Sequence, residues 1–304
     1  LDDRAYDYIQ EEPFVPEGKE IEPRLRAITI RQLLQHRAGW DRDKSFDAMF
    51  QSTRFAELLG KPAPAGPSDV IRCMFTQPLD FDPGARYAYS NFGYCLLGRI
   101  IERVTDKPYD QFVQEEVLRP AGATTMRLGR TLESLRAPQE VRYYDPAMGT
   151  SVFAPDTGKP TAHPYGAWNL EAMDAHGGWL ATATDLVRFA GALDANSSPA
   201  LLRPESLEEM FASPTAAASA KDTNAKPRSP YYALGWNVVQ FDAPGRRNSW
   251  HTGSLPGTST ILIRRHDGLQ LAVLFNSRVS PHVDHLTRAL DTPALHQAMD
   301  ETKR

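Results

Sequence analysis

Tyr87-Ala88-Tyr89-Ser90-Asn91-Phe92-Gly93-Tyr94, running on through Cys95-Leu96-Leu97-Gly98-Arg99-Ile100-Ile101-Glu102-Arg103-Val104, is the segment on which the fold turns. Its second half carries Tyr94, Leu97, Ile100, Ile101 and Val104 at three- and four-residue spacing, the clearest amphipathic helix in the chain. Just upstream, Asp82-Pro83-Gly84 is a turn signal. Tyr89 therefore stands on a loop at a helix entrance, and Asn91 is placed to cap that helix.

Working outward, residues 28–36 read as a short helix with Thr29 at its cap and Leu33 and Leu34 on one face, ending at Ala38-Gly39. After the Pro-rich loop at 61–67, Ser68-Asp69 is placed to cap a helix bearing Val70, Ile71, Met74 and Phe75. Leu1, Ala5, Tyr6, Tyr8 and Ile9 begin mid-pattern with no earlier cap, as the continuation of something upstream. Downstream, Tyr109, Phe112, Val113 and Val117 mark a helix at 108–118, and 130–175 lacks any period and reads as a long irregular region. Thr182-Ala183-Thr184-Asp185 and Pro204-Glu205 open two more helices, the first with Leu186, Phe189 and Leu193 inward. Residues 212–230 look like a flexible connection.

Beyond it the pattern changes to strands at 231–241, 249–253, 259–264 and 270–276, with turn signals at Pro244-Gly245, Pro256-Gly257 and Asp267-Gly268. A closing helix at 282–299 is placed to cover one face. The fold expected is α+β, one domain over 1–304, with a mainly helical part at 1–211 and an antiparallel sheet plus helix at 231–304.

At 304 residues, with 41% hydrophobic and 24% charged residues, the chain supports an ordinary globular core. A net charge of -4 and the lack of any Lys/Arg run argue against nucleic acid as a partner. No run of 18 apolar residues occurs, so no membrane span is expected in these residues. Cys73 and Cys95 sit among apolar neighbours and read as buried thiols. His282 and His285 have no third ligand nearby, so neither a metal nor a cofactor is expected. His176 next to Gly177-Gly178, Asp185 at a helix cap, and Trp168, Trp179, Trp236 and Tyr165 all read as structural.

Six strings in order then resemble one family: 28–39, Phe81-Asp82-Pro83-Gly84, Tyr89-Ser90-Asn91, 96–102, 177–186 and His251-Thr252-Gly253. Together they are similar to the serine β-lactamase-related superfamily, which includes class C β-lactamases, DD-peptidases, D-aminopeptidases and esterases. The resemblance implies a nucleophilic Ser followed three residues later by Lys, yet no Ser-x-x-Lys occurs between Leu1 and Arg304. In the family that motif, and two strands of the sheet, precede a segment similar to Leu1-Asp2-Asp3. The expectation is a truncated or processed chain with an exposed sheet edge open to pairing, and localisation stays open.

The resemblance also assigns roles. A Ser hydroxyl needs a base to take its proton, and Tyr89 is the family's candidate. A phenol is protonated at neutral pH, so that role needs an adjacent cation such as the family's Lys. Asn91 orients the Lys and the substrate amide. His251-Thr252-Gly253 resembles the Lys-Thr-Gly of β-lactamases: Thr252 binds a carboxylate or carbonyl, Gly253 allows close approach, and the Ser254 N–H is one oxyanion donor. His in place of Lys weakens the fixed positive charge and favours esters or small amides and peptides over β-lactams. A non-catalytic binding protein of the same fold and a two-chain enzyme are the alternatives. Thr223-Asn224-Ala225-Lys226 has a nucleophile's spacing, but its polar, Ala-rich setting makes it coincidence.

Overall fold

The computed structural model describes residues 1–194, 197, 200–214, 229–241, 246–280 and 293–301. Thr223, Lys226, His282, His285 and the first part of the expected closing helix lie outside the described residues. The chain divides into two compact units. The first is Leu1–Val113, Arg127–Glu140 and Ala147–Leu180; the second is Gln114–Met126, Val141–Pro146 and Ala181–Arg304. The helices that the sequence groups with the N-terminal part, at 183–211, thus fall in the same unit as the sheet.

In the first unit, helix α1 (Ile30–Leu34) opens on a reciprocal cap. Thr29 Oγ1 accepts the Gln32 N–H at 3.2 Å, and the Thr29 N–H donates to Gln32 Oε1 at 3.0 Å. It stops at Leu34, short of the expected Ala38-Gly39, because His36 takes a left-handed φ of 53°. The loop signal read at Gly39 begins three residues earlier. Helices α2 (Ser52–Leu58) and α3 (Pro67–Met74) follow. For α3 the expected cap is corrected: Gly66 is the cap position, Pro67 takes the first helical position, and Asp69 reaches back to accept the Gly66 N–H at 3.0 Å.

Helix α4 (Asn91–Thr105) is the spine of this unit. Its N-cap is Ser90, whose Oγ accepts the Gly93 N–H at 3.3 Å, and not Asn91, which is the first helical residue. It buries Phe92, Cys95, Leu96, Leu97 and Ile100, but Val104, counted on that face from its spacing, is 63% exposed. The buried face ends before the last turn, which Asp106 closes with a left-handed φ of 53°. Gly98 is required where Ala175 crosses, since a Cβ there would lie 2.6 Å from the Ala175 methyl. Arg99, buried one residue on, pairs with Asp174 at 2.5 Å and Glu102 at 2.8 Å. Leu33, Met49, Phe55, Val70, Ile71 and Met173 form the fully buried centre; each is worth about 1.5–3 kcal/mol relative to exposure.

The helix expected at 108–118 is α-helical over Tyr109–Phe112 (α5) and widens to π turns over Val113–Leu118. The region expected to be irregular, 130–175, holds one short strand pair and is flanked by the two strands of another. β1 (Arg127–Leu128) pairs with β4 (Trp179–Leu180), and β2 (Met148–Thr150) with β3 (Pro160–Ala162). Such two- and three-residue strands have too short a period to be legible.

The second unit is built on a five-stranded antiparallel meander in sequence order: β5 (Tyr231–Tyr232), β6 (Asn237–Gln240), β7 (Arg247–Leu255), β8 (Thr258–Arg264) and β9 (Gln270–Phe275). The strand expected at 231–241 is broken by a turn in which Gly235 has φ 84°. The Asp267-Gly268 hairpin forms as expected and sets Arg264 opposite Gln270. One sheet face presents Val238 and Leu262 to Leu193, Leu207 and Phe211 of helices α6 (Ala183–Gly191) and α7 (Pro204–Phe211) and their flanks. On the other, Ile261 and Ile263 pack with Leu295 of helix α8 (Pro293–Glu301). The alternation of β8 thus feeds two helical layers.

The architecture is α+β, as the sequence implies. Both cysteines are buried free thiols; burial pushes Cys73 up to about 11 and Cys95 further still, which makes them poor nucleophiles. Among the described residues no helix is long and apolar enough to cross a membrane.

Candidate active site

The site residues expected from sequence divide between the units: Tyr89 and Asn91 in the first, His251, Thr252, Gly253 and Ser254 in the second.

Tyr89 is half-buried at the mouth of α4. Its ring lies 4.1 Å from the His36 ring, and the Arg42 guanidinium sits 4.3 Å from its centroid. His36 is buried and spends Nδ1 on the Ser90 N–H at 3.2 Å. That bond explains the left-handed backbone at His36: the residue turns inward to hold the Tyr89-Ser90 loop. Burial pushes the Tyr89 phenol above its ordinary value; Arg42 opposes this and Asp47 adds to it.

Asn91 donates from Nδ2 to Asp47 Oδ2 at 2.6 Å. The other Asp47 oxygen accepts the Met49 N–H at 3.1 Å, and Arg42 Nη1 lies 3.9 Å from Oδ2. Burial raises the Asp47 carboxyl, and the Asn91 bond pulls it back part of the way. Tyr89, Asn91, His36, Arg42 and Asp47 therefore form one connected group. Sequence reasoning missed the roles of Arg42 and Asp47, since nothing in their spacing links residues 42–47 to 89–91.

In the second unit, β7 carries residues 251–254, with His251 and Gly253 toward one sheet face and Thr252 and Ser254 toward the other. β6 pairs with β7 only as far as Trp250, so among the described residues no strand flanks 252–255 on that side. His251 Nδ1 lies 2.8 Å from the Thr252 carbonyl oxygen, and Nε2 lies 3.0 Å from the Tyr232 hydroxyl. A carbonyl only accepts, so Nδ1 carries the proton, and the neutral ring takes the Tyr232 O–H on Nε2. Burial lowers the His251 pKa below 6.5, which keeps it uncharged at neutral pH. The weakened positive charge read from His in place of Lys is thus weaker still, and Tyr232 is a further residue the sequence did not reveal.

At Gly253 packing by itself calls for glycine. A Cβ there would run into Thr260 Oγ1 on β8. Ser254 is exposed at the strand's far end.

Of the other residues considered, His176 is pushed down to about 4 by burial and is neutral. Asp185 accepts the Thr182 N–H and hydroxyl at the start of α6, a capping role. Trp168 and Trp236 are core residues. Among the described residues no three His, Cys, Asp or Glu side chains gather as metal ligands.

A Tyr-Ser-Asn at a helix mouth, followed in order by a His-Thr-Gly strand in an antiparallel sheet backed by helices, defines a β-lactamase/transpeptidase-like protein. Residues 1–295 match the beta-lactamase family, and the chain belongs to it. Lovastatin esterase of Penicillium rubens is 31% identical over 223 residues, 70% of this chain and 52% of that protein. Penicillin-binding protein 4* of Bacillus subtilis is 27% identical over 259 residues, 83% of this chain and 52% of that one. The chain therefore spans about half the length of these curated relatives. The solved D-amino acid amidase from Ochrobactrum anthropi SV3 shares the fold, with a TM-score of 0.63 at 21% identity, over 95% of this chain and 79% of that one.

Proposed function

We propose that the residues described here serve a serine hydrolase acting on esters or small amides and peptides through an acyl-enzyme. Tyr89 is its proton-transfer residue, Asn91 its orienting amide, and His251, Thr252, Gly253 and the Ser254 N–H its substrate and oxyanion strand. The observation that carries this reading is the built setting of Tyr89, held by the His36 ring on one side and the Arg42 cation on its face. The relatives' names, an esterase and an amidase among them, support the substrate class. A neutral His251 fits acyl groups that lack a carboxylate beside the scissile bond.

No Ser-x-x-Lys occurs in residues 1–304, and a phenol raised by burial is a weak base without a further cation. The 304-residue chain by itself therefore gives little or no turnover. Hydrolysis of p-nitrophenyl acetate by the purified chain and by Tyr89→Phe should proceed at the same background rate. A wild-type rate 10² or more above the Tyr89→Phe rate would overturn the claim of inactivity, since general-base catalysis is worth about that much.

A second reading, in which another polypeptide segment pairs with the sheet, draws on β9. Among the described residues its only strand partner is β8, and Leu274 and Phe275 at its end are exposed. Light scattering that finds only monomer at 100 μM, and no partner on co-purification, would remove it.

A further inference from the structure

Asp47 does two jobs with its two oxygens. Oδ1 caps the short 3-10 turn Ala48–Phe50 by accepting the Met49 N–H at 3.1 Å. Met49 is fully buried, which anchors that turn, and the Asp47 side chain is itself only 16% exposed. With Oδ1 held, the carboxylate cannot spin, and Oδ2 is left facing the Asn91 side chain at 2.6 Å. An ionised carboxylate has only acceptors to offer, so it selects the NH2 edge of the amide and rejects the oxygen edge. Asn91 is fixed from the other direction by its place as the first residue of α4, immediately after the Ser90 cap.

We infer that Asp47 is a positioning residue for Asn91: it locks the amide with Oδ1 turned away from the carboxylate, so that Asn91 presents an acceptor to the N–H of an amide-bearing ligand. The ligand class rests on the hydrolase reading; the locked orientation does not. Capping alone would explain an Asp at position 47, but a cap needs one oxygen, and the short bond from Asn91 uses the other.

The discriminating variant is Asp47→Asn. Its side-chain oxygen still accepts the Met49 N–H, so the turn keeps its cap, while an NH2 replaces Oδ2 and forces the Asn91 amide to turn over. The readout is the Asn91 side-chain amide in 15N–1H spectra of the 304-residue chain, assigned by its loss in Asn91→Ala. In wild type, one Asn91 side-chain proton should be shifted downfield, exchange slowly with water and show a scalar coupling to the Asp47 carboxyl carbon. In Asp47→Asn the coupling should vanish and exchange should quicken about tenfold, the loss of one hydrogen bond. The wild-type coupling is informative even if the variant folds poorly. Ordinary shifts and rapid exchange in wild type, or a signal unmoved by the variant, would overturn the locking.

The acceptor role has its own arm: titration with phenylacetamide and with methyl phenylacetate, followed at Asn91. The amide should bind roughly five- to tenfold more tightly than the ester in wild type, with the preference lost in Asp47→Asn. No preference, including no binding of either, overturns the acceptor assignment. Absence of turnover is the result expected of these 304 residues; Tyr89-dependent turnover would overturn the claim of inactivity alone and would leave the Asn91 spectrum as stated.

Discussion

Replacing Glu22 with Gln should cost stability in a way that depends on pH, with a window set by the structure. The Glu22 carboxylate is almost fully buried and accepts four N–H groups. Oε1 takes the Arg24 backbone N–H at 3.1 Å and Nε at 2.8 Å; Oε2 takes Arg24 Nη2 at 2.9 Å and the Leu79 N–H at 3.0 Å. Arg24 in turn reaches Asp82 at 2.9 Å, so the cluster pins the chain entering the turn that leads to Tyr89. The Arg24 bonds, against the cost of burial, hold the Glu22 carboxyl at about 2, down from 4.5. At about 1.4 kcal/mol per pKa unit this is worth about 3 kcal/mol at neutral pH. Because the folded value is depressed, the unfolded chain binds more protons between these limits. The stabilisation is complete above about 4.5 and drains away as pH falls toward 2. Urea unfolding of wild type and Glu22→Gln, followed by tryptophan fluorescence at pH 7, 4 and 2.5, should show a gap of about 3 kcal/mol that narrows steadily below pH 4.5. A gap of equal size at pH 7 and 2.5, or none at pH 7, would refute the reasoning.

Tyr232→Phe removes the donor to His251 Nε2 and should cost about 1–2 kcal/mol in urea unfolding. In 15N spectra of wild type, His251 should appear as the Nδ1-protonated neutral tautomer at pH 7, with its titration midpoint below 6.5. Gly253→Ala drives a methyl into Thr260 Oγ1 and should destabilise by about 1–3 kcal/mol. Adding Thr260→Ala should recover most of the loss, and a double variant no more stable than the single would show that the crowding lies elsewhere.

The parts of this fold legible in the sequence are those with a long period or a strong local cap. Helix α4 declares itself over fifteen residues, and Thr29 and Thr182 cap as their neighbours suggest. The meander follows from alternating residues and from turns at Pro256-Gly257 and Asp267-Gly268. The structure departs from the local pattern where a tertiary contact overrides it. His36 ends α1 because it must turn inward to Ser90, 54 positions away. Ser90 outcompetes Asn91 for the cap, since the Asn91 amide is spent on Asp47. Tyr232 and His251, 19 positions apart, meet only once β5, β6 and β7 have paired. Motif strings mark the candidate site residues, and their supports stay hidden because proximity, not spacing, selects them.

The sign of the Tyr89 shift bears on what the phenol does. Burial is the largest influence on it and Arg42 the opposing one, yet the balance remains upward. A cation 4.3 Å from the ring centroid acts on the face of the ring and not at the hydroxyl, and its field is shared with Asp47 at 3.9 Å. Arg42 is therefore placed to hold the ring in position rather than to strip its proton. At neutral pH Tyr89 is therefore a protonated phenol. For it to accept a proton from a nucleophile, a second positive charge must come to the oxygen itself, which is the role an ammonium group would fill. Adding that charge without adding a nucleophile should lower the Tyr89 titration, seen by ultraviolet absorbance of tyrosinate against a Tyr89→Phe control, and produce no hydrolysis.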